Sequence, residues 1–198
     1  MSSFAYLGEA ALSIAVGTHR MHAGTVDLDL PDDDAYVLVT NPDRYQVVVD
    51  ATRSIIDELV ATYEVVSTAG NSAVDIPNFQ GPASDVVRLH PREGASLTFM
   101  FTGFPGVVVH AGELCVQAFP ACGCDACNES PTGLIERLEK LVRAVVEGRY
   151  AEELTKRTLS CSIAGEWSSS SSEERLQRGE WNQHGSLGPR QWPAWTTR

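Results

Sequence analysis

Positive charge is scarce in this sequence, which has 15 Lys and Arg residues against 26 Asp and Glu residues in 198 positions. The formal net charge is −11, and no stretch gathers enough Lys and Arg to follow a phosphate backbone. An acidic protein of this kind is repelled by anionic surfaces. Nucleic acids and anionic membranes are therefore not expected as partners, whereas a protein partner of unknown identity stays open.

Long apolar runs are also missing, since no stretch approaches the roughly 20 apolar residues that span a bilayer. The apolar start from Phe4 to Val16 has no basic region before it and is interrupted by Gly8 and Glu9, unlike a secretory signal. We therefore expect a cytoplasmic protein. In that compartment the thiols of its five cysteines would stay mostly reduced.

The motifs of common enzyme classes are absent as well. The chain contains no G-x-S-x-G elbow, P-loop, H-E-x-x-H or G-x-G-x-x-G pattern. No catalytic residue is predicted, and a domain without enzymatic activity is favoured over an enzyme.

Two amphipathic helices can be predicted from apolar residues spaced three or four apart. The first begins at Asn41-Pro42, where Asn can cap the helix and Pro can occupy its first position. Its predicted core face contains Val48, Thr52, Ile55, Ile56, Leu59, Val60 and Tyr63. The second helix begins at Ser130-Pro131 and ends near Gly148. Its continuous apolar stripe is typical of a helix that packs on a sheet.

Between the helices, alternating patterns predict an antiparallel meander whose strands are joined by short turns. The predicted strands are Val86–His90, Leu97–Thr102, Val107–His110 and Leu114–Phe119. Further strands are predicted over residues 25–30 and 158–164. The fold class is therefore α+β, with an antiparallel β-meander sheet on which two main helices pack.

The length suits one sizeable core followed by a tail. We expect one domain over residues 1–165, weakly patterned over residues 1–34, and a tail rich in Ser and Trp over residues 166–198. The Trp-Pro-Ala-Trp segment at 192–195 is predicted to be an extended strap on the domain. The alternative is that the Trp-rich tail binds a protein partner.

A cluster of three cysteines stands out, Cys122, Cys124 and Cys127, just before the second helix. Zinc takes four ligands in a tetrahedron, and thiolates at this spacing in a loop relaxed by Gly123 can converge on one ion. The fourth ligand does not follow from local spacing. Cys115 and His110 rank first because the meander brings their strands beside the loop, ahead of His90, Cys161 and Asp125.

Other interpretations of the cluster stay open. A thiol oxidoreductase would use Cys124 and Cys127, but a reactive thiolate needs a helix N-terminus or nearby cations, whereas Asp125 and Glu129 are acidic. An iron-sulfur cluster also takes thiolates, usually at wider spacings. The remaining alternative is that the three thiols have neither role. A structural zinc-type site is the preferred hypothesis.

The Cys cluster belongs to a longer motif, F-P-A-C-G-C-D-A-C, over Phe119–Cys127. Together with Val39–Tyr45, Phe101–Val107, Val145–Tyr150 and the Trp-Pro-rich end, this motif resembles a family of uncharacterised actinobacterial proteins that is classed as a domain of unknown function. The likeness covers most of residues 35–198. The resemblance implies a single domain and supplies no activity and no functional residues.

Overall fold

The computed structural model of the chain describes residues 33–70, 83–155, 158–170 and 189–198. The strand predicted over residues 25–30 lies outside the described residues. The chain enters the described part through a short 3-10 helix, Asp33–Tyr36.

The first helix begins later than its Asn-Pro signal predicts. Pro42–Tyr45 forms a 3-10 turn, and helix α1 follows over Gln46–Thr62. The side chain of Asn41 makes no capping hydrogen bond, so the turn is set by Pro42 rather than by a cap. Of the predicted core face, Val48, Thr52, Ile56 and Leu59 are buried, and the other three residues pack partly buried against the core.

Five antiparallel strands pair in chain order and form the main sheet. They are β1 (Val65–Ala69), β2 (Ala83–Pro91), β3 (Leu97–Thr102), β4 (Val107–Ala111) and β5 (Cys115–Phe119). Leu97, Phe99 and Phe101 belong to the large core, whereas Met100 lies in a separate apolar cluster with Val86 and Val108. The predicted alternation along β3 is therefore confirmed.

Helix α2 spans Pro131–Val146 and has the predicted N-cap, since the Ser130 side chain accepts a hydrogen bond from the Gly133 N–H. Its stripe is buried at Leu134, Leu138, Leu141, Val142, Val145 and Val146. These side chains share one core with α1 and the main sheet. Within the described residues, no helix has the length and apolar character needed to cross a membrane.

A second, small sheet follows α2, with the strand order β8-β7-β6-β9. Its strands are β6 (Tyr150–Leu154), β7 (Leu159–Ile163), β8 (Glu166–Ser170) and β9 (Arg190–Gln191). Only β7 was predicted. The predicted domain boundary between residues 165 and 166 falls in the turn between β7 and β8, which pair with each other. The architecture confirms the α+β class and adds this sheet to it.

The Trp-Pro-Ala-Trp segment packs along the body of the protein. Strand β9 pairs with β6, and the N–H of Trp195 donates to the carbonyl of Val146. The indole of Trp195 is only 4% exposed. Gly148, with a φ of +70°, lies so close to the segment that a Cβ there would be 2.6 Å from the backbone nitrogen of Ala194. The segment is therefore a strap on the domain.

Candidate metal centre

The three cysteines of the cluster lie together in the loop between β5 and α2, here called the Cys loop (residues 120–130). Their sulfur atoms all lie within 4.8 Å of one another, and the Sγ atoms of Cys122 and Cys124 are 3.2 Å apart. Cys124 is buried, while Cys122 and Cys127 are exposed. The group therefore opens to solvent on one side.

The spacing of the sulfurs suits a tetrahedral ion. Three sulfurs at about 2.3 Å from one zinc, at tetrahedral angles, are about 3.8 Å from each other. The observed separations of 3.2 Å and at most 4.8 Å differ from that value by no more than about 1 Å. Rotation of the cysteine side chains covers such a distance without refolding of the loop.

The start of the Cys loop is held by Glu129. Its carboxylate accepts hydrogen bonds from the backbone N–H groups of Ala121 (2.8 Å) and Cys122 (3.2 Å). The same carboxylate pairs with Arg137 on the first turns of α2. Glu129 thereby links the entry of the loop to the helix that follows it.

The middle of the Cys loop is held by Asp125, which binds the segment before α1. Its carboxylate accepts hydrogen bonds from the N–H (3.0 Å) and the hydroxyl (3.2 Å) of Thr40. In return, the N–H groups of Asp125 and Ala126 donate to the carbonyls of Leu38 (2.9 Å) and Ala35 (3.0 Å). The loop and residues 33–40 therefore form one hydrogen-bonded unit.

Gly123 is needed between the first two cysteines for a steric reason. A Cβ at this position would be 2.4 Å from Cζ of Phe104, whose ring lies against the loop. Phe104 in turn contacts Tyr45 at a ring-centroid distance of 5.8 Å. The ring of Phe104, backed by Tyr45, packs against the loop and leaves no room for a side chain at Gly123.

The thiols of the group differ in acidity. Burial acts to raise the pKa of Cys124, but hydrogen bonds from the Cys127 N–H and the Cys122 thiol outweigh it, so the pKa is lowered. Hydrogen bonding to Cys124, followed by hydrogen bonding to Cys122 and by burial, raises the pKa of Cys127 to about 12. Of Cys124 and Cys127, Cys124 is therefore the first to become a thiolate.

The structure does not bring Cys115 or His110 into this group, although both ranked first as the fourth ligand. In the β4–β5 hairpin His110 pairs with Val116, and Cys115 pairs with Ala111, beside the connecting turn. The Cys loop leaves the hairpin at its other end, after Phe119. At about 3.3 Å per residue, the four steps from Cys115 to Phe119 separate the two places by about 13 Å.

The lower-ranked candidates for the fourth ligand make contacts with other residues. The ring of His90 contacts the hydroxyl of Ser96 at 3.1 Å, and the carboxylate of Asp125 binds Thr40. Cys161 lies in β7 with its thiol close to the hydroxyl of Tyr150. Within the described residues, the group consists of Cys122, Cys124 and Cys127 and has no fourth His, Cys, Asp or Glu.

Sequence reasoning missed the role of the acidic flanks. Asp125 and Glu129 were weighed as charges that oppose a free thiolate, and Asp125 also as a fourth ligand, whereas in the structure both carboxylates bind backbone N–H groups of the loop and its neighbour. A signal was available for Glu129, because it directly precedes the cap of α2 and lies eight positions before Arg137.

Comparison with known proteins gives one result. A family model described as "Family of unknown function (DUF6226)" matches residues 15–198. The searches of curated proteins and of solved structures return no match for the chain.

Proposed function

We propose that this chain, which belongs to the DUF6226 family of unknown function, is a non-enzymatic domain that binds a zinc-type cation through Cys122, Cys124 and Cys127. One observation carries the proposal, namely that the three sulfurs lie within 4.8 Å of one another on a single loop. Three thiolates suit zinc, which prefers sulfur and nitrogen ligands and tetrahedral geometry.

The position of the group supports a structural role for the cation. The Cys loop joins the edge strand β5 to α2 and is hydrogen-bonded to residues 33–40. An ion bound to all three sulfurs would cross-link the loop between Cys122 and Cys127 and so hold this corner of the domain. Water or a ligand from outside the described residues would complete its coordination.

Metal analysis of the purified protein tests the proposal. We expect about one zinc per chain in protein prepared without added metal, and loss of the metal in the Cys122→Ser, Cys124→Ser and Cys127→Ser variants. Substitution by cobalt should give a thiolate-to-cobalt charge-transfer absorption that weakens with each cysteine removed. His110→Asn and Cys115→Ala are matched controls, which should keep the metal because these residues lie outside the group.

Three outcomes would contradict the proposal. Failure of the reduced, folded chain to take up zinc in competition with a chromogenic chelator would show that the three thiols do not form a site. A metal-free protein with a reversible Cys124–Cys127 disulfide would instead favour the thiol oxidoreductase. Retention of zinc after all three serine substitutions would assign the ion to other ligands.

A cytoplasmic location is part of the same proposal. All five cysteines are free in the structure, and a three-thiolate site needs a compartment in which thiols stay reduced. Cell fractionation with an antibody against the chain tests the location, and recovery of the protein in a secreted fraction would argue against it.

A further inference from the structure

The proposed cation has three thiolate ligands within the described residues, and the two other cysteines of the chain cannot supply a fourth. All five cysteines lie in the described part of the chain. Cys115 is at the turn end of the β4–β5 hairpin, about 13 Å from the start of the Cys loop. Cys161 is near the same end, because its sulfur lies 3.9 Å from the hydroxyl of Tyr150, which donates to the carbonyl of Ala111 at 3.0 Å. A site with four thiolates is therefore excluded.

A histidine is the other ligand that closes structural zinc sites with three cysteines. The sequence has five histidines, and two of them, His90 and His110, lie in the main sheet outside the sulfur group. The other three, His19, His22 and His184, lie outside the described residues. From within the chain, only one of these three can complete a site of three cysteines and one histidine.

His19 and His22 belong to the part of the chain that leads into the neighbour of the Cys loop. The carbonyl of Ala35 accepts a hydrogen bond of 3.0 Å from the N–H of Ala126, which lies between two of the cysteines. His22 precedes Ala35 by 13 positions, a tether that reaches up to about 43 Å when extended. A ligand on a tether of this length has an effective concentration of order millimolar. The pair is therefore within reach of the sulfurs.

His184 starts from the opposite side of the domain. It belongs to the segment between β8 and β9, which are both strands of the small sheet. Arg190, the first residue of β9, pairs with Glu113 in the β4–β5 turn. That turn is at the end of the hairpin away from the Cys loop. The pair His19 and His22 is therefore the better placed source of a ligand.

The surface beside the Cys loop also suits an apolar segment. The four consecutive apolar residues Tyr36–Val39 are each at least 44% exposed, and the carbonyl of Leu38 accepts a hydrogen bond of 2.9 Å from the N–H of Asp125 in the loop. Contiguous exposed apolar residues mark docking surfaces. The preceding segment contains the apolar run Phe4–Val16, and the family match begins at residue 15, so it includes both histidines.

We propose that residues 1–32 dock beside the Cys loop and that one histidine of the pair His19 and His22 is the fourth ligand of the cation. The inference rests on the proposed function, because it names the missing ligand of the same ion. The step involves no redox change, since a neutral imidazole nitrogen donates an electron pair to the cation in place of a water molecule. Three cysteines and one histidine then form a closed, structural site.

X-ray absorption at the zinc edge of the full chain counts the ligands directly. We expect three sulfurs and one imidazole nitrogen in the unsubstituted chain. The double variant His19→Asn/His22→Asn should keep the three sulfurs and lose the imidazole scattering. It should also bind zinc more weakly, by more than the roughly 10- to 100-fold typical of residues that only support a ligand. His184→Asn is the matched control, which should change neither quantity.

Proteolysis gives a second readout, which tests the docking of the segment. Arg20 lies between the two histidines and is a cleavage site for trypsin. Zinc should slow cleavage after Arg20 by at least about 10-fold relative to the chelator-treated chain, because cleavage follows the population of the undocked segment. The double variant should lose this zinc-dependent protection, and His184→Asn should retain it.

The failures of the two proposals can be told apart. Unchanged zinc affinity, ligand count and cleavage at Arg20 in the double variant would overturn the inference and leave the three-thiolate site intact. Loss of the imidazole in His184→Asn, or its supply by a second copy in a zinc-dependent dimer, would overturn it as well. An unsubstituted chain that binds no zinc would refute the proposed function and this inference together. If the double variant does not fold, zinc-dependent protection at Arg20 in the unsubstituted chain carries the test.

Discussion

Replacement of Trp195 by alanine should destabilise the whole domain, because this side chain anchors the C-terminal strap. The indole is 4% exposed and meets the ring of Tyr63 edge-on at a centroid distance of 5.7 Å. Its Nε1–H donates to the carbonyl of Ala95 at 2.9 Å. A Cβ at Gly94 would be 2.7 Å from Cδ1 of the indole, which shows how closely the chain surrounds it.

The magnitude follows from these contacts. Truncation of a buried Trp to Ala costs about 3 to 5 kcal/mol of unfolding free energy, through lost burial and the cavity that remains. Trp195→Phe keeps most of the apolar contact and removes the hydrogen bond to Ala95, so it should cost about 1 to 2 kcal/mol. In a domain of this size, the alanine variant should unfold about 10 °C or more below the unsubstituted chain.

Urea denaturation followed by far-ultraviolet circular dichroism measures these differences without relying on Trp fluorescence, which the substitution itself changes. Thr196→Ala is the matched control, because its exposed neighbouring side chain should change the unfolding free energy by less than about 0.5 kcal/mol. If Trp195→Ala were as mild as this control, the strap would not be part of the folded domain in solution. The tail would then be available as a ligand for a partner, which is the alternative interpretation of its sequence.

Three further predictions concern the other interior contacts. Burial raises the pKa of Glu152, so the folded state holds this proton more tightly than the unfolded state does. The unfolding free energy should therefore fall as the pH rises from about 4.3, the pKa in the unfolded chain, through the higher pKa in the folded chain. Glu152→Gln should flatten this slope in denaturation measured from pH 4 to 8. Gly123→Ala should cost about 1 to 3 kcal/mol because its Cβ meets Phe104, and Phe104→Leu should recover part of the loss in urea denaturation. Glu129→Ala should weaken zinc binding by about 10-fold in chelator competition, whereas Glu129→Gln, which keeps the acceptor, should weaken it less.

Local pattern was sufficient for much of the fold. The bounds of β3 and the cap and stripe of α2 follow from alternation and from the Ser-Pro start, because those features depend on residues a few positions apart. Strand β6 could not be found in this way. It directly follows α2 and carries two consecutive glutamates, Glu152 and Glu153, which look like a solvent-exposed continuation of the helix.

The burial of Glu152 shows why such a strand is hidden from sequence reasoning. Its carboxylate accepts hydrogen bonds from the backbone N–H groups of Glu113 and Leu114, from the Tyr150 hydroxyl and from the Trp192 indole. These donors come from the β4–β5 turn, from β6 itself and from the strap. A buried carboxylate is tolerated only where donors surround it, and elements so far apart in the sequence leave no local signal of that arrangement.

The candidate metal centre was predicted only in part, because the three cysteines are close in the sequence and a fourth ligand is not. The three cysteines share one loop, so their convergence could be inferred from spacing, and the structure brings their sulfurs together. The ranking of Cys115 and His110 assumed that residues on a neighbouring strand lie beside the loop that follows it. In an antiparallel hairpin the turn is at one end and the exit at the other, so residues next to the turn are the farthest from that loop.

The same topology separates Cys115 from the three cysteines of the Cys loop. At the exit of the β4–β5 hairpin, two of the three thiols are exposed, so their protons can pass to water as an ion binds, and a divalent cation offsets the charge of the thiolates. At the turn end, Cys115 is only 5% exposed and lies about 13 Å from the start of the Cys loop, too far to share an ion with the three thiols. A chelator should therefore act at the exit of the hairpin and leave Cys115 unchanged.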